Sequence, residues 1–93
     1  MLEVNLFNTP YLESELESIE CLEGTEELVE RMKEHVINNP KSTESFEVEL
    51  SVVVDCFRKK IVAIFNYIED EDQELEKYIE CESVKEVDVV CLA

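Results

Sequence analysis

One histidine, four cysteines and 24 carboxylates are the side chains of this 93-residue chain that could do chemistry. Acid–base or nucleophilic catalysis needs a base within hydrogen-bond reach of a nucleophile. His35 is the sole imidazole; it lies beside Glu34, and no Ser or Cys falls next to it by helical or strand spacing. A histidine in the last turn of a helix, where the macrodipole favours it, accounts for this residue without catalysis. Cys21, Cys56, Cys81 and Cys91 form no C-x-x-C pair and have one histidine to recruit, so a zinc site is not expected. They read as free thiols of a reducing compartment. Asp70, Asp72 and Glu74 have the spacing that opens a calcium loop, but Leu75 stands where the loop needs glycine and Cys81 where it ends in Glu. Helix capping by Asp70 or Asp72 explains them instead. Gly24 is the one glycine, so no glycine-rich phosphate cradle can form. No catalytic residue, no metal, no cofactor and no enzymatic activity are expected.

The carboxylates matter as a population. Acids outnumber bases 24 to 8, a formal charge of −16. Self-repulsion at that level opposes compaction, and a cationic partner is the sharpest reason to keep it; solubility and a high-salt habitat are the blander ones. Direct binding to DNA or RNA is disfavoured, because phosphates would meet carboxylates. The acids are dense in two runs, 13–30 and 69–82. No apolar run is long enough to span a membrane and no basic-then-apolar leader is seen, so a cytoplasmic site is expected, the host cytoplasm if the chain is viral.

The elements that would hold these acids follow from hydrophobic period. Ninety-three residues make one domain with a small core. Residues 2–6 alternate as a short strand, ended by Asn8-Thr9-Pro10. Leu12, Leu16, Ile19 and Leu22 predict a helix over 11–23. Gly24 breaks it, Thr25 caps a second helix with Leu28, Val29, Met32, Val36 and Ile37 on its buried stripe, and Asn38-Asn39-Pro40 ends that. Residues 45–56 alternate strictly, a strand with one buried face. Arg58, Lys59 and Lys60 read as a charged hairpin turn, followed by a strand over 61–68 that is apolar on both faces and therefore central. A helix over 52–68 is the competing reading, disfavoured by its β-branched density. A third helix is predicted after the acids at 69–74, with Leu75, Tyr78 and Ile79 buried and Glu74, Glu76, Glu80 and Glu82 outside. A last strand covers 84–93.

That order, βαββαβ, predicts a ferredoxin-like α+β domain: a four-stranded antiparallel sheet, strand order 4-1-3-2, with the helices on one face. The uncovered face would carry Glu3, Asn5, Glu47, Glu49, Asp55, Glu86 and Asp88, with Val53, Val62, Ile64 and Val90 as an apolar contact strip between them. The strip could join two copies sheet to sheet or meet a basic partner. It lacks the aromatic platform that stacks bases on RNA-binding sheets.

Such a fold implies no function by itself. Charge leads to a non-enzymatic inhibitor or adaptor that docks on a basic partner protein and occludes its nucleic-acid-binding surface, as a DNA mimic of the phage or viral counter-defence kind would. Carboxylates three or four apart on a helix lie about 5–6 Å apart at Cβ and can approximate a phosphate row. The candidate contacts are Glu13, Glu17, Glu20, Glu74, Glu76, Glu80, Glu47 and Glu49. The alternatives are an immunity protein or antitoxin plugging a basic nuclease, and a small dimeric ligand-binding regulatory domain.

Overall fold

A computed structural model describes residues 2–68 and 76–92. The chain runs β1 (Glu3–Phe7), α1 (Thr9–Ser18), a 3-10 turn (Leu22–Gly24), α2 (Thr25–Asn38), β2 (Phe46–Val54), β3 (Phe57–Ile68) and β4 (Glu76–Cys91). The strands form one mixed sheet in the order β1-β4-β3-β2. β1 pairs parallel with β4, whereas β2, β3 and β4 form an antiparallel meander.

This overturns the ferredoxin-like expectation. Where the helix predicted after residues 69–74 falls on described residues, it is strand: residues 76–82 begin a 16-residue strand that continues through the expected last strand. Leu75, Tyr78 and Ile79 supply only one turn of helical period, whereas the stretch from Tyr78 on is rich in β-branched residues and has β3 as a ladder partner throughout. Among the described residues only the α1–α2 crossover is helical. β4 replaces β1 as the inner strand, and β1 moves to the edge. The predicted caps Asp70 and Asp72 fall outside the described residues.

The hairpin turn is also displaced. Asp55 and Cys56 make it, with the left-handed backbone on Asp55 (φ 54°), a residue type that tolerates that conformation. Arg58, Lys59 and Lys60 lie inside β3 instead, opposite Val53, Val52 and Ser51. α1 stops at Ser18, so Leu22 is exposed rather than striped into a helix, and Ile37 is exposed at the end of α2.

The core lies between the helices and the sheet. Leu12 and Leu16 of α1 and Leu28, Met32 and Val36 of α2 meet alternate residues of β2 (Phe46, Val48, Leu50, Val52) and β3 (Ile61, Ala63, Phe65). Cys21, before the 3-10 turn, and Ile79, Cys81 and Val84 of β4 complete it. Gly24 lets the 3-10 turn sit on β2: a Cβ there would lie 2.7 Å from Val52 Cγ2 and 3.0 Å from Leu50 Cδ2. Two bulges interrupt the β3–β4 ladder, leaving Val87 and Glu82 as extra residues.

The molecule is long, 51 × 23 × 19 Å. A 16-residue strand spans about 50 Å at ~3.3 Å per residue, so β4 sets the length. Burial on the strands ends at Val52, Lys59 and Val84. Beyond those residues the β2–β3 hairpin and the end of β4 project past the helices as a three-stranded ribbon. Its tip is tied by the Leu92 amide donating to the Cys56 carbonyl at 2.7 Å.

Candidate functional site

The acids separate by layer. From Thr9 to Asn38 there are nine Glu and two bases, a formal charge of −7. The four strands hold eight acids and five bases, or −3. The cause is local. Each helix commits its apolar residues, Ile37 excepted, to one seam at a period of 3.6, and many of the remaining positions are Glu. Glu13 and Glu17 lie one turn apart on the exposed side of α1, and Glu26, Glu27, Glu30 and Glu34 are exposed along α2. Arg31 neutralises one of these, reaching Glu27 at 3.2 Å while also donating to the Glu49 carbonyl at 3.1 Å.

Of the three cations of β3, Lys59 is buried, Lys60 is half-buried on the uncovered face and Arg58 is exposed. The Lys59 ammonium donates to the Ile19 carbonyl at 3.0 Å and lies 3.5 Å from Glu20 and 3.6 Å from Glu86. Burial by itself would lower the Lys59 pKa, but Glu86 and Glu20 outweigh it and hold it above the ordinary lysine value. Lys60 pairs with Glu49 at 2.6 Å, and that bond raises its pKa. Lys59 and Lys60 are therefore held by carboxylates of their own chain rather than forming a solvated turn, while Arg58 is exposed on β3. The strand's period contained the clue: Lys59 is in phase with Ile61, Ala63 and Phe65, the buried set of β3.

The other predicted contact residues scatter. Glu20 is on the loop after α1 with a left-handed backbone (φ 57°), held to Lys59. Glu76 and Glu80 are on β4, about 13 Å apart at ~3.3 Å per residue, and not on one helical face. Glu76 is half-buried, opposite Glu3, and accepts from the Tyr78 hydroxyl at 2.6 Å. Glu74 lies outside the described residues. Glu47 and Glu49 are exposed on the edge strand β2.

The uncovered sheet face does hold Val53, Val62, Ile64 and Val90 together. Val53 and Val90 flank Arg58, while Val62 and Ile64 are half-buried farther along β3. Glu3, Asn5, Glu47, Glu49 and Asp88 are on that face. Glu86 is not: the bulge at Val87 turns it to the covered side, opposite Ile61 and against Lys59. Asp55 sits in the turn.

His35 lies between α2 and β2. Its ring stacks on Phe46 with centroids 4.1 Å apart, and it lines an open polar cavity of about 310 Å³ with Arg31, Glu34, Asn38, Glu47, Val48 and Glu49. No Ser or Cys lines that cavity, so His35 has no nucleophile to activate there. Burial raises the thiol of Cys21, and it pushes that of Cys81 to about 11, which keeps both protonated and poorly nucleophilic. Cys56 and Cys91 are free and exposed near the ribbon tip. Among the described residues no three His, Cys, Asp or Glu side chains are grouped to hold a metal ion, and no helix is long and apolar enough to cross a membrane.

No family model matches the chain, and no solved structure matches it. Two proteins of Bacillus subtilis (strain 168) do. YdcS is 43% identical over 74 residues, covering 80% of this chain and 83% of YdcS. YdcT is 38% identical over 85 residues, covering 90% of this chain and 96% of YdcT. The chain belongs to the YdcS/YdcT family. Both relatives are described as uncharacterized proteins, so membership establishes kinship over most of the chain's length and assigns no activity.

Proposed function

We propose that this member of the YdcS/YdcT family is a non-enzymatic acidic binding protein whose helical layer docks on the basic surface of a nucleic-acid-binding protein. The observation that supports this is the uneven distribution of charge. The helical layer presents nine Glu against two bases, while Lys59 and Lys60 are engaged by carboxylates of their own chain. Glu13 and Glu17, one turn apart, and the exposed Glu of α2 offer rows of negative charge on a rigid support. DNA carries one charge per about 1.7 Å of axis, so a groove built for phosphates would accept such rows. Occlusion of that groove is the expected outcome, whether the partner is a nuclease or another nucleic-acid-binding protein. Glu74, Glu76 and Glu80 are not included in this surface; the contacts proposed are Glu13, Glu17, Glu26 and Glu30.

The test is capture from a nuclease-treated bacterial lysate by the wild-type chain and by a variant carrying Glu13→Lys, Glu17→Lys, Glu26→Lys and Glu30→Lys. Wild type should retain nucleic-acid-binding proteins that elute between about 50 and about 300 mM salt and that a DNA duplex displaces. The variant should not retain them. Equal retention by both, or retention indifferent to salt and DNA, rejects the reading.

A further inference from the structure

The acidic layer leaves one feature of the molecule unused. β1 covers only Glu76–Glu80 of β4 on that strand's outer side. Tyr11 of α1 then takes the Glu82 carbonyl at 3.2 Å. From Ser83 onward that edge of β4 has no ladder partner among the described residues, although β3 pairs its other edge out to Cys91. An exposed strand edge is a template for a further strand. This one holds no proline, and Val87, Val89, Val90 and Leu92 along it are all exposed.

We infer that two copies of this chain join antiparallel through the free edge of β4, making one continuous eight-stranded sheet about a two-fold axis between Glu86 and Val87. The bulge selects this register. In an unbroken strand, self-pairing centred between two residues sets an inward side chain against an outward one. The extra residue at Val87 restores the match. Lys85 and Asp88, which lie beside Val62 and Lys60 on the uncovered face, come opposite each other, twice by symmetry. Val84, in the core, comes opposite Val89, which lies beside Lys59 on the same face. Shifting the register by one residue either way places Glu86 against Asp88 or against itself. Charge complementarity and face parity therefore agree on one arrangement and on a second copy as its occupant. The surface is separate from the helical layer, so the inference stands whether or not the acidic docking face is used. Its response to salt is opposite, because two chains of −16 repel and screening favours their union.

Sedimentation equilibrium and amide hydrogen exchange test it together. In about 0.5 M salt the expected mass is twice the 10.8 kDa of one chain. Lys85→Asp and Asp88→Lys should each raise the dimer dissociation constant about tenfold, and the double variant should return it to near the wild-type value. Slowing of exchange at Ser83–Val90 amides with rising concentration should accompany the dimer. If a single variant does not fold, that concentration dependence in the wild-type chain decides alone. A monomer at about 1 mM, a dimer indifferent to both single reversals, a double variant that fails to recover, or protection confined to β2 overturns the inference.

Discussion

The helical layer and the projecting ribbon are built from the same alphabet and end in opposite states. In the layer, most apolar side chains are drawn to one seam, Leu22 and Ile37 excepted, and the solvent side is left mainly to Glu. In the ribbon, period-2 alternation gives two faces, and past Val52, Lys59 and Val84 no described strand residue is buried. Six of the ten exposed large hydrophobic residues among those described are there: Val53, Phe57, Val87, Val89, Val90 and Leu92. The lesson is that charge and apolar exposure are sorted by the reach of the helices rather than by composition. The two contacts proposed above would differ in physics accordingly, one weakened by salt and one strengthened by it.

The largest effect should come from truncating the covered part of the sheet. Phe65→Ala removes a fully buried ring and should cost about 3–5 kcal/mol in denaturant unfolding, whereas Val89→Ala in the ribbon should change the stability of the monomer by less than about 0.5 kcal/mol. Equal costs would erase the distinction between the two regions. Gly24→Ala should follow at about 1–3 kcal/mol, since the new methyl group meets the stiff side chain of Val52.

At the boundary between the regions, Lys59→Ala should cost about 1–3 kcal/mol, by stranding Glu86 and emptying a covered position. Lys59→Met should cost less, because it keeps the apolar stem and removes the need for a charged partner. A Met variant as damaged as the Ala variant would show that the charge, and not the stem, holds this position.

Alkaline pH should weaken the covered half selectively. The folded-state thiol of Cys81 titrates at about 11 rather than 9.0, because burial penalises the thiolate. The unfolded state therefore loses this proton first. Unfolding free energy falls as pH rises from 9.0 to about 11, and the contribution is fully present below 9.0. Cys21 and Lys59, whose pKa values are also raised, act in the same direction. Cys81→Ala should flatten the slope measured by urea titration across that window. The smallest effect should be on the other layer: Glu13→Lys with Glu17→Lys should raise monomer stability by a few tenths of a kcal/mol at low salt, by relieving repulsion along α1.

Much of the core was legible in the residues. Leu12, Leu16, Leu28, Met32 and Val36 follow from helical period and Phe46 to Val52 from alternation, whereas residues 61–65 read as apolar on both faces and only the packed sheet singles out Ile61, Ala63 and Phe65 as buried. The ends and the topology were not. Residues 75–79 satisfy one helical turn and also open a strand, and local period cannot choose between them at that length. The basic triplet looked like a turn because three charges interrupted an apolar run. The Ile19 carbonyl and the carboxylates of Glu20 and Glu86, the last two 39 and 27 residues distant in sequence, make a buried Lys59 tolerable.

By itself the sequence determined the periods, the acidity and the absence of a glycine loop or cysteine pair, since these depend on neighbours within a few positions. The tertiary structure alone decided that β4 lies between β1 and β3, that a bulge turns Glu86 away from Asp88, and where the helices stop covering the sheet. Those outcomes depend on which distant strand completes a ladder, and backbone hydrogen bonding leaves no trace in the identity of the side chains it joins.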